Sequence, residues 1–225
     1  RLLFAANDAL SGIELWASDG TTGGTILLRD ITAGTNPSSP AELTVAGGSV
    51  FFTATDGTHG RELWKSDGTP AGTSLVKDIA PGPTNSSSVS LVNVGGTLFF
   101  TANDRINGNA LWKSDGTESG TLLVSVIVSS VTNANPTNLF DLDGTLVFAV
   151  AAPPAGSELW KSDGTAGGTV RIRQFSAGAG GSNSIPQNMA NLNGTLFFSV
   201  TDGAIGTELW KSDGTAAGTT LVKDI

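Results

Sequence analysis

Four aspartates recur at matching places along the chain, each opening a short segment rich in Asn, Gly and Ser between two apolar stretches: Asp8, Asp56, Asp104 and Asp202. Carboxylate and carbonyl oxygens are the ligands that calcium prefers, and such polar segments also suit hydrogen bonding to sugar hydroxyls. A calcium site with a single carboxylate would bind weakly. The candidate ligand-binding residues are Asn7, Asp8, Asp56, His59, Asn103, Asp104 and Asp202, with the four aspartates as candidate metal ligands. Ordinary polar loops are the alternative interpretation.

No combination of residues indicates catalysis. His59 is the only histidine and there is no cysteine, so a nucleophile relay or a thiolate metal site has no partners. Nearly all the acids are repeated turn or strand-end residues, whereas glycoside hydrolysis needs a unique pair of convergent carboxyl groups. The sequence predicts that the protein is not an enzyme.

The elements that must position these residues come from an internal repeat. The five tryptophans, Trp16, Trp64, Trp112, Trp160 and Trp210, are spaced 48, 48, 48 and 50 residues apart. Each lies in a variant of E-L-W-K-S-D-G-T-x-x-G-T, and a repeat of this period is typical of solenoids and propellers. The chain is interpreted as one domain over residues 1–225, with units 1–31, 32–79, 80–127, 128–175 and 176–225.

One unit contains four apolar runs of strand length, here named A to D, separated by turns rich in Gly, Asp and Ser. In the second unit they are Ala41–Val45, Val50–Ala54, Glu62–Lys65 and Ser74–Ile79. Adjacent apolar pairs such as Leu63-Trp64 place a large side chain on each sheet face, so both faces must be buried. The prediction is an all-β propeller of five four-stranded antiparallel blades.

The motif resembles that of the ELWxxDGT-repeat family. The resemblance spans essentially the whole chain, with Ala17 replacing the Lys in the first unit and Ala110 replacing the Glu in the third. It implies a propeller-like fold and no established activity.

The repeat begins at strand B, so the first blade is expected to lack strand A. Two arrangements stay open: a five-bladed ring with a three-stranded first blade, or a segment of a longer array.

The repeated motif residues have structural interpretations. The tryptophans are expected to anchor the blade cores, because a Trp beside Leu inside a short strand is usually packed. The motif aspartates are expected to cap turns by hydrogen bonding to the backbone. They are Asp19, Asp67, Asp115, Asp163 and Asp213.

Charge and hydropathy exclude two classes of partner. The chain has 12 Lys and Arg against 20 Asp and Glu, a net charge of −8, which is the wrong sign for nucleic acid. No apolar run is long enough to predict a membrane span. The polar Gly-, Thr- and Ser-rich repeats and the family resemblance favour an extracytoplasmic location.

The third and fourth units depart from the repeat. Strand D of the third unit, Leu122–Val128, contains no charge, and Pro153-Pro154 forms an apolar turn in the fourth. An uncharged edge strand pairs readily with another chain. The predicted surface for a protein partner or self-association comprises Leu122, Val124, Val126, Val128, Pro153 and Pro154. Sequence drift in a tolerant repeat is the alternative interpretation. The leading hypothesis is a non-enzymatic association scaffold; the alternative is a multivalent lectin-like module that binds glycans through its B–C and D–A loops.

Overall fold

A computed structural model describes residues 1–127, 135–177, 185–203 and 205–225. These ranges form nineteen antiparallel strands in five separate sheets, one per repeat, and contain no helix. The prediction of an all-β chain of antiparallel sheets, the first with three strands and the others with four, is confirmed. No helix in the described ranges could span a membrane.

The strands follow one another in chain order within every sheet. Sheet 1 comprises β1 (Leu2–Asn7), β2 (Ile13–Ser18) and β3 (Ile26–Arg29). Sheet 2 comprises β4 (Ala41–Ala46), β5 (Ser49–Thr55), β6 (Arg61–Ser66) and β7 (Ser74–Lys77). Sheet 3 comprises β8 (Val89–Val94), β9 (Thr97–Asn103), β10 (Asn109–Ser114) and β11 (Leu122–Ser125). Sheet 4 comprises β12 (Pro136–Leu142), β13 (Thr145–Ala151), β14 (Ser157–Ser162) and β15 (Val170–Phe175). Sheet 5 comprises β16 (Gln187–Leu192), β17 (Thr195–Thr201), β18 (Thr207–Ser212) and β19 (Thr220–Lys223).

Two-residue turns join the first two strands of each four-stranded sheet. Both turn residues have positive φ, as in the Gly47-Gly48 and Asp143-Gly144 pairs. This backbone matches the type I′ hairpin, whose twist suits the flanking strands. The turn chemistry therefore sets which residues of the paired strands lie opposite each other.

The chain forms two compact units, one of Arg1–Gly108 with Trp112–Leu122 and the other of Asn109–Leu111 with Leu123–Ile225. In the first unit, the core between sheets 1 and 2 joins Leu15 and Leu28 to Phe52 and Trp64. In the second unit, the core between sheets 4 and 5 joins the equivalent residues of those sheets, including Leu159, Ile172, Phe198 and Trp210. The strands carry apolar side chains on both sheet faces, and both kinds of face contribute to these cores, as the adjacent apolar pairs predict.

Candidate functional site

The loop between strands B and C is held together by its own aspartate. Asp8 Oδ1 accepts hydrogen bonds from the backbone N–H groups of Leu10 and Ser11, at 2.9 and 2.7 Å. The Ser11 N–H and then the Leu10 N–H lower the pKa of Asp8 by stabilising its carboxylate. The carboxylate thus faces the donors of its own loop.

The loops of the second and third units repeat this arrangement. Asp56 Oδ1 accepts from Thr58 and His59, and the His59 ring Nδ1 lies 2.6 Å from Asp56 Oδ2. Asp104 accepts from the backbone of Ile106 and from both the backbone and side chain of Asn107. Burial acts to raise the pKa of Asp56 and of Asp104, but these donors outweigh it and lower both. The hydrogen bond to Asp56 raises the pKa of His59.

The remaining loop candidates also contact the protein itself. Asn7 and Asn103 each accept a hydrogen bond through Oδ1 from the backbone N–H two residues later, at 2.7 and 2.8 Å. Asp202 differs from the other aspartates. Its Oδ1 accepts the Ser176 N–H, and its Oδ2 lies 3.6 Å from a guanidinium nitrogen of Arg173. Asp202 therefore fixes the connection that follows β15.

The hydrogen bonds of these aspartates do not test the calcium prediction, which stays a prediction. Calcium takes six to eight oxygen ligands, and Asp8, Asp56 and Asp104 each accept backbone N–H groups of their own loop through Oδ1. The described ranges contain no group of three or more His, Cys, Asp or Glu that could hold a metal ion. Asp8, Asp56 and Asp104 each cap their own loop, whereas Asp202 contacts the connection after β15, and the described hydrogen bonds do not join the four aspartates to one another.

The motif turn between strands C and D has the same hydrogen bonds in every unit. In the second unit, Asp67 Oδ1 accepts from both the backbone and the hydroxyl of Thr69, and Ser66 Oγ contacts Thr73 Oγ1 at 2.8 Å. A Cβ on Gly72 would overlap the Asp67 carboxylate, which explains the second glycine of the motif. Asp19, Asp115, Asp163 and Asp213 cap the equivalent turns.

The tryptophans contribute to the packing between sheets. Trp64, Trp112 and Trp210 are buried, and Trp16 and Trp160 are half-buried. None of the five is a fully exposed platform of the kind that stacks on sugars.

The glutamate of the E-L-W triplet is a structural residue whose role the sequence reasoning missed. Glu62 is fully buried and accepts the N–H groups of Ile79, Ala80 and Ser86, at 3.0, 3.4 and 2.9 Å. Glu14 does the same in the first unit, accepting from Ile31 and from Ser38. The carboxyl group therefore orders the connection that leads to the next sheet. The available signal was an acid recurring inside an apolar strand.

The glutamate contacts change in the irregular units. Ala110 removes the carboxyl group from the third unit. In the fourth, Glu158 accepts instead from the Trp160 Nε1–H and from Arg171, at 2.8 and 2.7 Å. Burial raises the pKa of Glu62 to about 7, with the backbone and Ser86 donors acting in the opposite direction.

Cations of strand D cross to the next sheet. Arg29 donates to the carbonyl of Thr73 at 2.9 Å, and Lys77 donates to that of Thr121 at 3.1 Å. These cations therefore link neighbouring sheets, in addition to charging a strand edge. The third unit has Ser125 at this position.

The predicted partner surface is only partly exposed. Leu122 is 47% exposed and Leu123 is 37% exposed, on a strand at the edge of sheet 3. Val124 is 6% exposed, so its inclusion in the surface is corrected: its side chain is buried, as are those of the equivalent residues Leu28 and Val76 in sheets 1 and 2. Val126 is half-buried, and Val128 lies outside the described residues. Pro153 and Pro154 are exposed.

Comparison with known proteins supports the fold and leaves the activity open. No protein-family model and no curated protein matches the sequence. Among solved structures, prolyl oligopeptidase B from Galerina marginata matches with TM-score 0.59 and 12% sequence identity. The match covers 98% of this chain and 32% of the oligopeptidase chain. A puromycin hydrolase mutant matches with TM-score 0.57 and 14% sequence identity, over 93% of this chain and 32% of the hydrolase chain. The GH74 xyloglucanase from Xanthomonas campestris matches with TM-score 0.53 and 14% sequence identity, over 94% of this chain and 34% of the xyloglucanase chain. The chain thus spans about a third of the length of these structures, and the likeness supports a β-propeller-like all-β fold.

Proposed function

We propose that this chain is a non-enzymatic, β-propeller-like scaffold of the ELWxxDGT-repeat type that mediates protein association through the outer edge of β11. The observation that carries the proposal is the pair Leu122 and Leu123, both substantially exposed on an edge strand. No residue from 122 to 127 is charged. An uncharged apolar edge strand suits pairing with a strand of another chain.

The other units lack this combination at their outer strands. At the position of Leu122 in sheet 2 stands Ser74, and β7 ends in Lys77, whose ammonium group bonds to the next sheet. Arg171 and Arg173 lie in β15. β11 is therefore the strand most suited to adding a partner strand. We propose that this association takes place outside the cytoplasm, which the polar repeats and the family resemblance support.

The test is the mass of the protein by light scattering, alone and with a defined co-purifying protein. Leu122→Lys puts a charge on the edge without disturbing a buried residue, and we expect it to release the partner or the oligomer. Ser74→Lys, at the equivalent position of sheet 2, is the matched control and should leave the mass unchanged. An unchanged mass for Leu122→Lys would overturn the proposal.

A glycan array distinguishes the lectin alternative. We expect no specific binding from the scaffold. Dose-dependent binding of one glycan class, lost on Asp104→Asn, would replace the association proposal with a carbohydrate-binding one.

A further inference from the structure

A cleft of about 230 Å³ lies between sheets 4 and 5, which belong to the same compact unit. The A–B hairpin turns of both sheets border it through Asp143 and Gly194. The motif turn of sheet 5 contributes Asp213 and Gly214, and strand C of sheet 4 contributes Lys161. The cleft thus combines one cation and two acids with exposed backbone.

The equivalent place between sheets 2 and 3 is filled by an aromatic ring. A Cβ built on Gly116 would lie 3.2 Å from the Phe51 ring, whereas a Cβ built on Gly214 would meet nothing within 4 Å. Val147 stands in sheet 4 where Phe51 stands in sheet 2, since each lies opposite the motif lysine of its strand C. The smaller valine therefore leaves open a space that the regular repeat fills.

The cation of the cleft has no close partner in the protein. Lys161 is half-buried and makes no hydrogen bond or ion pair with the residues that the structure describes. The Thr215 hydroxyl and backbone N–H lower the pKa of Asp213, and the positive charge of Lys161 acts in the same direction. Lys161 and Asp213 therefore influence each other across the cleft without pairing.

Each acid of the cleft has one carboxylate oxygen without a donor. Asp213 Oδ1 accepts both Thr215 donors, and Asp143 Oδ1 accepts the Asn191 amide at 2.7 Å. No described residue donates a hydrogen bond to Oδ2 of either aspartate. Asp143 Oδ2 lies 3.2 Å from a Cβ built on Gly194, at the wall of the cleft. The other units have a different residue at the position of Asp143: Gly47, Gly95 and Asn193.

These groups define the charges of a complementary ligand. One ammonium group and two carboxylate oxygens match a ligand with one carboxylate and two cationic groups, because hydrogen bonds between opposite charges are the stronger ones. An acidic ligand would face two carboxylates, and a neutral ligand would leave all three groups without an opposite charge. A basic amino acid carries the matching set of groups.

We propose that the cleft between sheets 4 and 5 binds a basic amino acid, with the ligand carboxylate on Lys161 and its two cationic groups on Asp143 and Asp213. Val147 provides the space, and Asp143 provides an acid that the other units lack. This site is separate from the β11 edge, so its test needs no association of the protein.

The test is a nuclear magnetic resonance titration with L-lysine that follows the backbone amide signals of Gly194 and Gly214. We expect saturable shifts at these two glycines and weaker binding at high salt, since the paired charges are partly exposed. L-norleucine lacks the side-chain ammonium group, cadaverine lacks the carboxylate, and Nα-acetyl-L-lysine lacks the α-ammonium group. Each should bind about fivefold more weakly or worse, as the loss of one exposed charge pair requires.

Substitutions locate the binding. Lys161→Met and Asp143→Asn should each weaken L-lysine binding about fivefold, and the asparagine keeps an oxygen for the Asn191 amide. Lys65→Met, at the equivalent position of sheet 2, is the matched control and should leave the affinity unchanged. Val147→Phe restores the residue of the regular repeat and should abolish binding, with thermal unfolding as the check that this variant folds.

Several results would contradict the proposal. They are the absence of saturable shifts with the unsubstituted chain, equal affinity for L-lysine, L-norleucine and cadaverine, and unchanged binding by folded Lys161→Met and Asp143→Asn. Binding of glucose at the same glycines, as tight as that of L-lysine, would assign the cleft to hydroxyl recognition instead. Leu122→Lys should not alter the titration, so failure of the β11 proposal leaves this one standing and the reverse also holds.

Discussion

Replacement of Glu62 by Gln should remove a dependence of stability on pH. The carboxyl group is fully buried, and burial raises its pKa from the ordinary 4.5 to about 7. The folded state therefore prefers the protonated carboxyl group. Its contribution to stability is complete below pH 4.5 and is lost as the pH rises through about 7.

The size of the effect follows from the shift. A change in pKa from 4.5 to about 7 corresponds to about 3 kcal/mol between the two protonation states. Urea unfolding at roughly pH 5 and roughly pH 8 should show the wild type losing about that much relative to Glu62→Gln. The glutamine cannot titrate, so its variant supplies the baseline.

His59 must be controlled, because it lies near Glu62 and Asp78 and the Asp56 hydrogen bond raises its pKa. Both proteins should therefore also have His59→Asn. A free-energy difference between them that is constant with pH would refute the dominance of burial. A wild type that gains stability relative to the variant as the pH rises would show that the three backbone donors control the carboxyl group instead.

Two further predictions concern the repeat. Asp67→Ala should lower the thermal unfolding temperature, because the motif turn loses the acceptor of both Thr69 donors. Gly72→Ala should destabilise the wild type, because the added Cβ would overlap the Asp67 carboxylate. The same substitution should cost less stability when Asp67→Ala has removed that carboxylate. Additive effects in that double-mutant cycle would exclude the overlap. Arg29→Met should cost about 1 kcal/mol in urea unfolding, through loss of the bond to the next sheet and of the ring contact. Arg105→Met, on an exposed loop, is its control, and an equal loss from both would contradict the cross-sheet role.

The strands of the second unit show which strand bounds the local sequence pattern predicts. Ala41–Val45, Val50–Ala54 and Glu62–Lys65 were predicted from alternation and turn residues, and they lie inside β4, β5 and β6. The fourth run was predicted to reach Ile79, but β7 ends at Lys77. The difference arises because the Ile79 N–H turns toward the Glu62 carboxylate, 17 residues away in sequence.

At the candidate site, local sequence pattern does not predict which groups contact each other. Asp8, Asp56 and Asp104 were found by their repeated position, but only the fold shows that their oxygens meet N–H donors of their own loops. Val124 could not be separated from Leu122 by sequence, because residues two apart share a strand face and only packing in the fold buries one of them.

Residue types and spacing alone suggest calcium and sugar chemistry at the loop aspartates. From the same spacing, the sequence determined the repeat, the strand content and the turn positions, since these depend on backbone preferences and alternation within a few residues. The tertiary structure decided that Glu62 orders a connection between sheets, and that Val124 is buried whereas Leu122 is exposed. Burial and donor geometry depend on neighbours distant in sequence, so no local pattern contains them.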